Sequence, residues 1–133
     1  MPSLNFQAQF ADKVLSGEKV QTIRKVRKKN PIKPGDSLSL YTGMRNKSCR
    51  FLKPAICKKI TPITIGENFI ETHNEHYEEG TKFKHVMDHF AKQDGFTCWA
   101  HMRNWFLKVY KHLPFEGVLI EWELKTDIST ISK

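Results

Sequence analysis

The order of periodic segments predicts an α+β domain: alternating strands fill the first half, two amphipathic helices follow, and one long strand closes the chain. Three observations carry this reading. Val118, Ile120, Trp122 and Leu124 alternate with Leu119, Glu121 and Glu123, the two-residue period of a strand. Phe83, Val86, Met87 and Phe90 fall at i, i+3, i+4 and i+7, the stripe of a short helix. Leu38 and Leu40 share a face in Ser37–Thr42, just after the turn residues Pro34, Gly35 and Asp36. Strands, then helices, then a closing strand suit a mixed β-barrel with flanking α-helices.

Taken in order, Leu4 to Phe6 reads as a first strand. Ala11–Ser16 reads as one or two helical turns, with Phe10 and Val14 four apart and Gly17 as the left-handed residue that stops it. Val20–Val26 is the next strand. The charged loop Arg27 to Asn30 runs to Pro31 and Pro34, and Ser37–Thr42 follows. Residues 43–48 read as a hairpin loop. A third strand covers about Cys49–Lys53, meets an edge or bulge at Pro54, and continues over Ala55–Thr61. Ile63 to Ile65 and Phe69 to Glu71 are short strand candidates, and Thr72–Gly80 is an acidic loop. Asp94 and Gly95 stop the first late helix. Thr97 is placed to cap a second, about Cys98–Lys111, which Pro114 breaks and which buries Trp99, Met102, Trp105 or Phe106, and Val109. Residues 1–125 form a single domain by this reading, with 126–133 as a flexible tail.

The chain has 133 residues, enough for one modest core without staples. At 39% apolar and 27% charged it has an ordinary globular composition. No apolar stretch is long enough for a membrane span, and no signal-like segment opens the chain. A cytoplasmic protein without a membrane partner is the expectation. Cys49, Cys57 and Cys98 are an odd, scattered set that suits reduced thiols better than zinc. His85 and His89, four apart on a helix, lack matching ligands, so no metal and no cofactor is expected.

The net charge of +8 is concentrated early: residues 1–60 hold 14 Lys and Arg against 3 Asp and Glu. Such a lobe favours a polyanion, because neutralising phosphates releases counterions. Lys25, Arg27, Lys28, Lys29, Lys47 and Arg50 are the candidates for contacting a nucleic-acid backbone. Tyr41 points away from Leu38 and Leu40, so its ring is free to stack on a base beside Arg45.

The run from Gly17 to Arg24 (Gly-Glu-Lys-Val-Gln-Thr-Ile-Arg) concentrates the chemistry. In the strand after the helix stop, Ile23 is the natural core residue, which sends Thr22 and Arg24 to the other face. Lys19 lies in the turn just ahead. An amine, a hydroxyl and a guanidinium therefore gather at one strand entrance. A lysine with a lowered pKa can take the proton of a threonine hydroxyl, and a guanidinium can hold a carbonyl or phosphate oxygen.

This run, with Phe10, Val14 and Leu15 before it and Lys33-Pro34-Gly35-Asp36 after it, resembles the opening of an ASCH domain, a branch of the PUA-like superfamily of small β-barrels that mostly handle RNA. Phe90 to Phe96, Trp105-Phe106 and Phe115 to Trp122 agree, so the resemblance spans roughly residues 4–124. It implies an RNA- or nucleoside-binding domain with RNA, a modified nucleoside or DNA as partner. Some small members are 4-acetylcytidine amidohydrolases, in which the lysine is the proton acceptor, the threonine the nucleophile and a later glutamate the proton donor. Those roles fall on Lys19, Thr22 and Asp94, where this chain carries the shorter aspartate. Other members resemble ribonucleases. A protein-interaction module for an acidic partner is a further reading of the basic lobe.

Overall fold

The structure is a computed structural model and describes residues 2–44, 47–80 and 82–124. The described elements are β1 (Ser3–Phe6), α1 (Ala8–Ser16), β2 (Gln21–Arg24), β3 (Ser37–Thr42), β4 (Arg50–Ile65), β5 (Phe69–Thr72), β6 (His76–Glu78), α2 (Lys84–Gln93), α3 (Trp99–Tyr110) and β7 (Phe115–Leu124). The α+β class holds, with one mixed seven-stranded sheet and three helices.

β4 is the axis of the sheet. Over Arg50 to Ile56 it pairs with β3, and over Ile63 to Ile65 with β5. β7 runs antiparallel to it from Ala55 to Ile65. The strand continues past Pro54 as the sequence suggests and runs on to Ile65, 16 residues in all. Pro54 sits opposite Ser39 on β3, one residue before β7 joins, and the β4–β7 irregularity falls later, between Cys57 and Lys59. The order β1-β3-β4-β5-β6 runs along one path, and β7 then β2 branch from β4. β1 lies parallel to β3, which makes the sheet mixed.

The sheet is not a closed barrel. β1 pairs with β3 and β2 with β7, and among the described residues no backbone ladder joins β1 to β2. Arginine side chains cross that gap instead. Arg24 Nη2 donates to the Asn5 carbonyl at 2.7 Å, and Arg27 Nη2 to the Ser3 carbonyl at 2.5 Å. These carbonyls alternate with those of Pro2 and Phe6, which face β3.

The core gathers Leu38 and Leu40 of β3, Val14 of α1, Met87 of α2 and Met102 and Phe106 of α3. Phe106, Tyr110 and Phe115 stack where α3 meets β7. Several boundaries differ from the sequence reading. β2 spans Gln21 to Arg24 rather than Val20 to Val26, and Val26 is exposed. α1 begins at Ala8, three residues earlier than its apolar stripe suggests. Residues 76–78, expected as loop, pair with β5. Thr97 does not cap α3: its hydroxyl lies against His101, and the free Trp99 N–H donates to Asp88 Oδ1 of α2 at 2.9 Å. Val109 is exposed rather than buried. The 126–133 tail lies outside the described residues. No helix among the described residues is long and apolar enough to cross a membrane.

Candidate functional site

α1 stops at Gly17, whose φ of +89° is the left-handed conformation that glycine adopts without a Cβ penalty. The chain then turns against the end of α2. Lys19 N–H donates to the Lys13 carbonyl and Val20 N–H to the Gln93 carbonyl, each at 3.0 Å. The second bond carries the strand entrance to the C-terminus of α2, where Asp94 is the first residue beyond the helix. Two amines grip the same terminus. Lys13 Nζ donates to the Gly95 carbonyl at 2.9 Å, and Lys19 Nζ donates to the Asp94 carbonyl. Cations at a helix C-terminus meet its partial negative charge.

Lys19 and Asp94 are thereby buried together, at 2% and 3% exposure, with Lys19 Nζ 3.5 Å from Asp94 Oδ2. The other carboxylate oxygen faces Gln21 Nε2 at 3.5 Å. The Lys19 ammonium also lies 4.9 Å from the Phe10 ring centroid and 5.6 Å from that of Phe6. Thr22 Oγ1 accepts from Arg24 Nε at 3.1 Å, which fixes the hydroxyl oxygen and leaves its proton to donate. Strand alternation thus places Thr22 and Arg24 together as the sequence suggests, but Gln21 on the opposite face is buried too, because α2 covers it.

Burial drives the ionisation of the pair. It lowers the Lys19 pKa, opposed by the Asp94 charge and reinforced by Arg24. Burial pushes the Asp94 carboxyl up to about 6, against the pull of Lys19 and Gln21. The two displacements are opposed, and each favours the uncharged form of its group.

These groups open onto a cavity of about 210 Å³. Lys19, Thr22, Arg24 and Asp94 supply its polar side, and Phe6, Phe10, Trp105 and Tyr110 its aromatic side. Trp105, expected in the core, is half-buried, and its Nε1 donates to Gln7 Oε1 at 3.3 Å. A slightly larger cavity, about 250 Å³, lies on the opposite face of β2, where Gln21, Leu119 and Glu121 line it. The first is the candidate site because the buried titratable pair and the hydroxyl meet there.

Other expected residues lie elsewhere. Tyr41 does not line the cavity: β4 brings Phe51 against it, ring centroids 5.3 Å apart, so the ring has an intramolecular partner. Arg45 lies outside the described residues. Lys28, Lys29, Lys47 and Arg50 are exposed and line none of the cavity wall. Lys25 is exposed with its ammonium 5.4 Å from the Tyr110 ring centroid, at the cavity rim. Gln21 and the aromatic wall went unread in the sequence. A glutamine inside the Lys-x-x-Thr run was a visible signal; the wall, drawn from β1, α1 and α3, was not.

No family model matches this chain, and neither a curated protein nor a solved structure matches it.

Proposed function

We propose that the chain is an ASCH-type, PUA-like domain that binds a nucleobase of RNA or of a modified nucleoside in the cavity beside Lys19, Thr22 and Arg24. One observation carries the reading: a buried cation, a hydroxyl and a guanidinium converge on a concave space walled by aromatic rings. Nucleobase recognition needs a ring face to stack on and a few directed donors and acceptors at the base edge. Phe10, Trp105 and Tyr110 offer the faces. The Thr22 hydroxyl and the guanidinium donors left by the two Arg24 bonds offer the edges. The basic first half supplies the attraction for phosphates. Calorimetric titration with cytidine and with a short single-stranded RNA tests this. Saturable binding that weakens in Arg24→Gln and falls with salt is the expected result; RNA affinity unaffected by salt or by this substitution overturns it.

A second reading is favoured by the opposed ionisation of Lys19 and Asp94: hydrolysis of an acylated exocyclic amine such as that of 4-acetylcytidine. Neutral Lys19 takes the Thr22 proton, the Thr22 oxygen attacks the acyl carbonyl, and protonated Asp94 gives its proton to the leaving amine. Water then releases acetate from the threonine ester. Thr22→Val separates the readings, because base binding loses one edge contact and weakens while the rings and the Arg24 donors remain, whereas turnover, which needs the hydroxyl oxygen, is abolished. Acetate release that persists in Thr22→Val sinks the hydrolytic one.

A further inference from the structure

Beyond Arg24 lies another cavity, about 240 Å³ in volume, that the nucleobase reading leaves unused. Its wall includes Leu4, Ile32, Val118 and Ile120, and its rim includes Lys25 and Arg27. It lies on the same face of the sheet as the candidate site. Thr22 pairs with Ile120 and Arg24 with Val118 across the β2–β7 ladder, and cross-strand partners share a face. On β1, Phe6 lines the first cavity and Leu4, two residues earlier, the second. The Arg24 side chain lines both, reaching from β2 to the Asn5 carbonyl as a partition. Each cavity falls below the ~300 Å³ at which ligand pockets usually begin, while the pair together falls within that range.

We propose that the two cavities form one binding site for two successive nucleotides of a single strand, with the bridging phosphate on the partition. This rests on the nucleobase reading and specifies its substrate class as a strand rather than a free nucleoside. The first base enters the aromatic cavity and the next lies on the aliphatic wall around Ile32 and Ile120. The linking phosphate meets Arg24, Lys25 and Arg27, three cations within four residues at the junction. Arg24 uses two of its N–H donors on Thr22 and Asn5, and a guanidinium carries five, so donors remain for an anion. Charge complementarity selects this occupant: an apolar wall alone suits any greasy group, whereas this one carries cations and no carboxylate on its lining.

The test compares cytidine, cytidine 5′-monophosphate and the dinucleoside monophosphate cytidylyl-cytidine by calorimetry at one fixed salt concentration. The dinucleoside monophosphate is expected to bind roughly tenfold or more tightly than cytidine, from one added base and one phosphate. Val26 lines the second cavity and is exposed, so Val26→Trp covers that space without disturbing the core. It brings the affinity ratio of dinucleotide to cytidine close to one, and Lys25→Gln lowers the salt dependence of dinucleotide binding. A dinucleotide that binds no better than cytidine, or a ratio that survives Val26→Trp, overturns the proposal and leaves the nucleobase reading standing. No binding by any of the three probes overturns both.

Discussion

The buried Lys19–Asp94 pair gives the sharpest test of the site's physics. Asp94→Ala leaves the Lys19 ammonium without its carboxylate partner in a space where it is 2% exposed. At 3.5 Å and an effective dielectric of about 20, the lost attraction is about 5 kcal/mol, within the ~3–5 kcal/mol range for breaking a buried pair from one side. Lys19→Met leaves a buried carboxyl in its turn, and burial that lifts the Asp94 pKa to about 6 and lowers that of Lys19 lets either lone group neutralise in part, so both single costs fall toward the lower end. The double variant Lys19→Met/Asp94→Leu removes both charges, and such replacements are often neutral or stabilising by about 1–4 kcal/mol. Urea unfolding at pH 7.5 followed by far-ultraviolet circular dichroism measures all four corners of the cycle. The expected result is two costly single changes and a double variant more stable than either. Additive costs, with a coupling below about 0.5 kcal/mol, would show that the two charges do not depend on each other and refute the reasoning.

Three more predictions follow from the same geometry. Because the folded-state pKa of Asp94 is raised to about 6, its contribution to stability is fully present below the unfolded value near 4 and is lost as pH rises through 6. The protein should therefore gain about 2 kcal/mol from this group between pH 7 and pH 4, at ~1.4 kcal/mol per pH unit of displacement, and Asp94→Asn should lack that gain in urea titrations across the window. Gly95→Ala places a Cβ 3.0 Å from both Lys19 Cδ and Phe10 Cδ1 at a φ of +95°, so a loss of about 1–3 kcal/mol and weaker ligand binding are expected; a variant as stable as the parent contradicts this. Gly117→Ala puts a Cβ 2.3 Å from the Arg24 carbonyl oxygen, which forces β2 away from β7 and costs about 1–3 kcal/mol, read by thermal unfolding.

What the sequence made legible follows from how local each signal is. β3 was readable to the residue because its alternation is uninterrupted, and β7 was readable from its length, although Leu119 and Ile120 are buried on both of its faces. β6 has three residues with no buried side chain, so it carries no pattern; only β5 beside it makes it a strand. The passage of β4 through Pro54 was legible, but its run through Pro62 to Ile65 was not, because prolines mark edges and only the pairing with β5 and β7 carries the strand on. The Lys19, Thr22 and Arg24 grouping was legible because it lies within six residues. Asp94 came through family resemblance alone, since 75 residues separate it from Lys19 and tertiary bonds such as that from Val20 to Gln93 bring them together. Tyr41 faces away from Leu38 and Leu40 as the alternation implies, but Phe51 on another strand packs against its ring, which the sequence does not show. The aromatic side of the cavity depends on how α1 and α3 pack, which is a property of the fold rather than of any segment.

The arginine seam between β1 and β2 also protects the molecule from its own kind. An unpaired strand margin is a template for association with another chain, and proteins blunt such margins with charge. Here the outward carbonyls of Ser3 and Asn5 are already occupied by guanidinium groups that repel an approaching copy bearing the same groups. The cations of the proposed strand site are thus also the ones that cap this strand margin, and mutating them for one purpose alters the other.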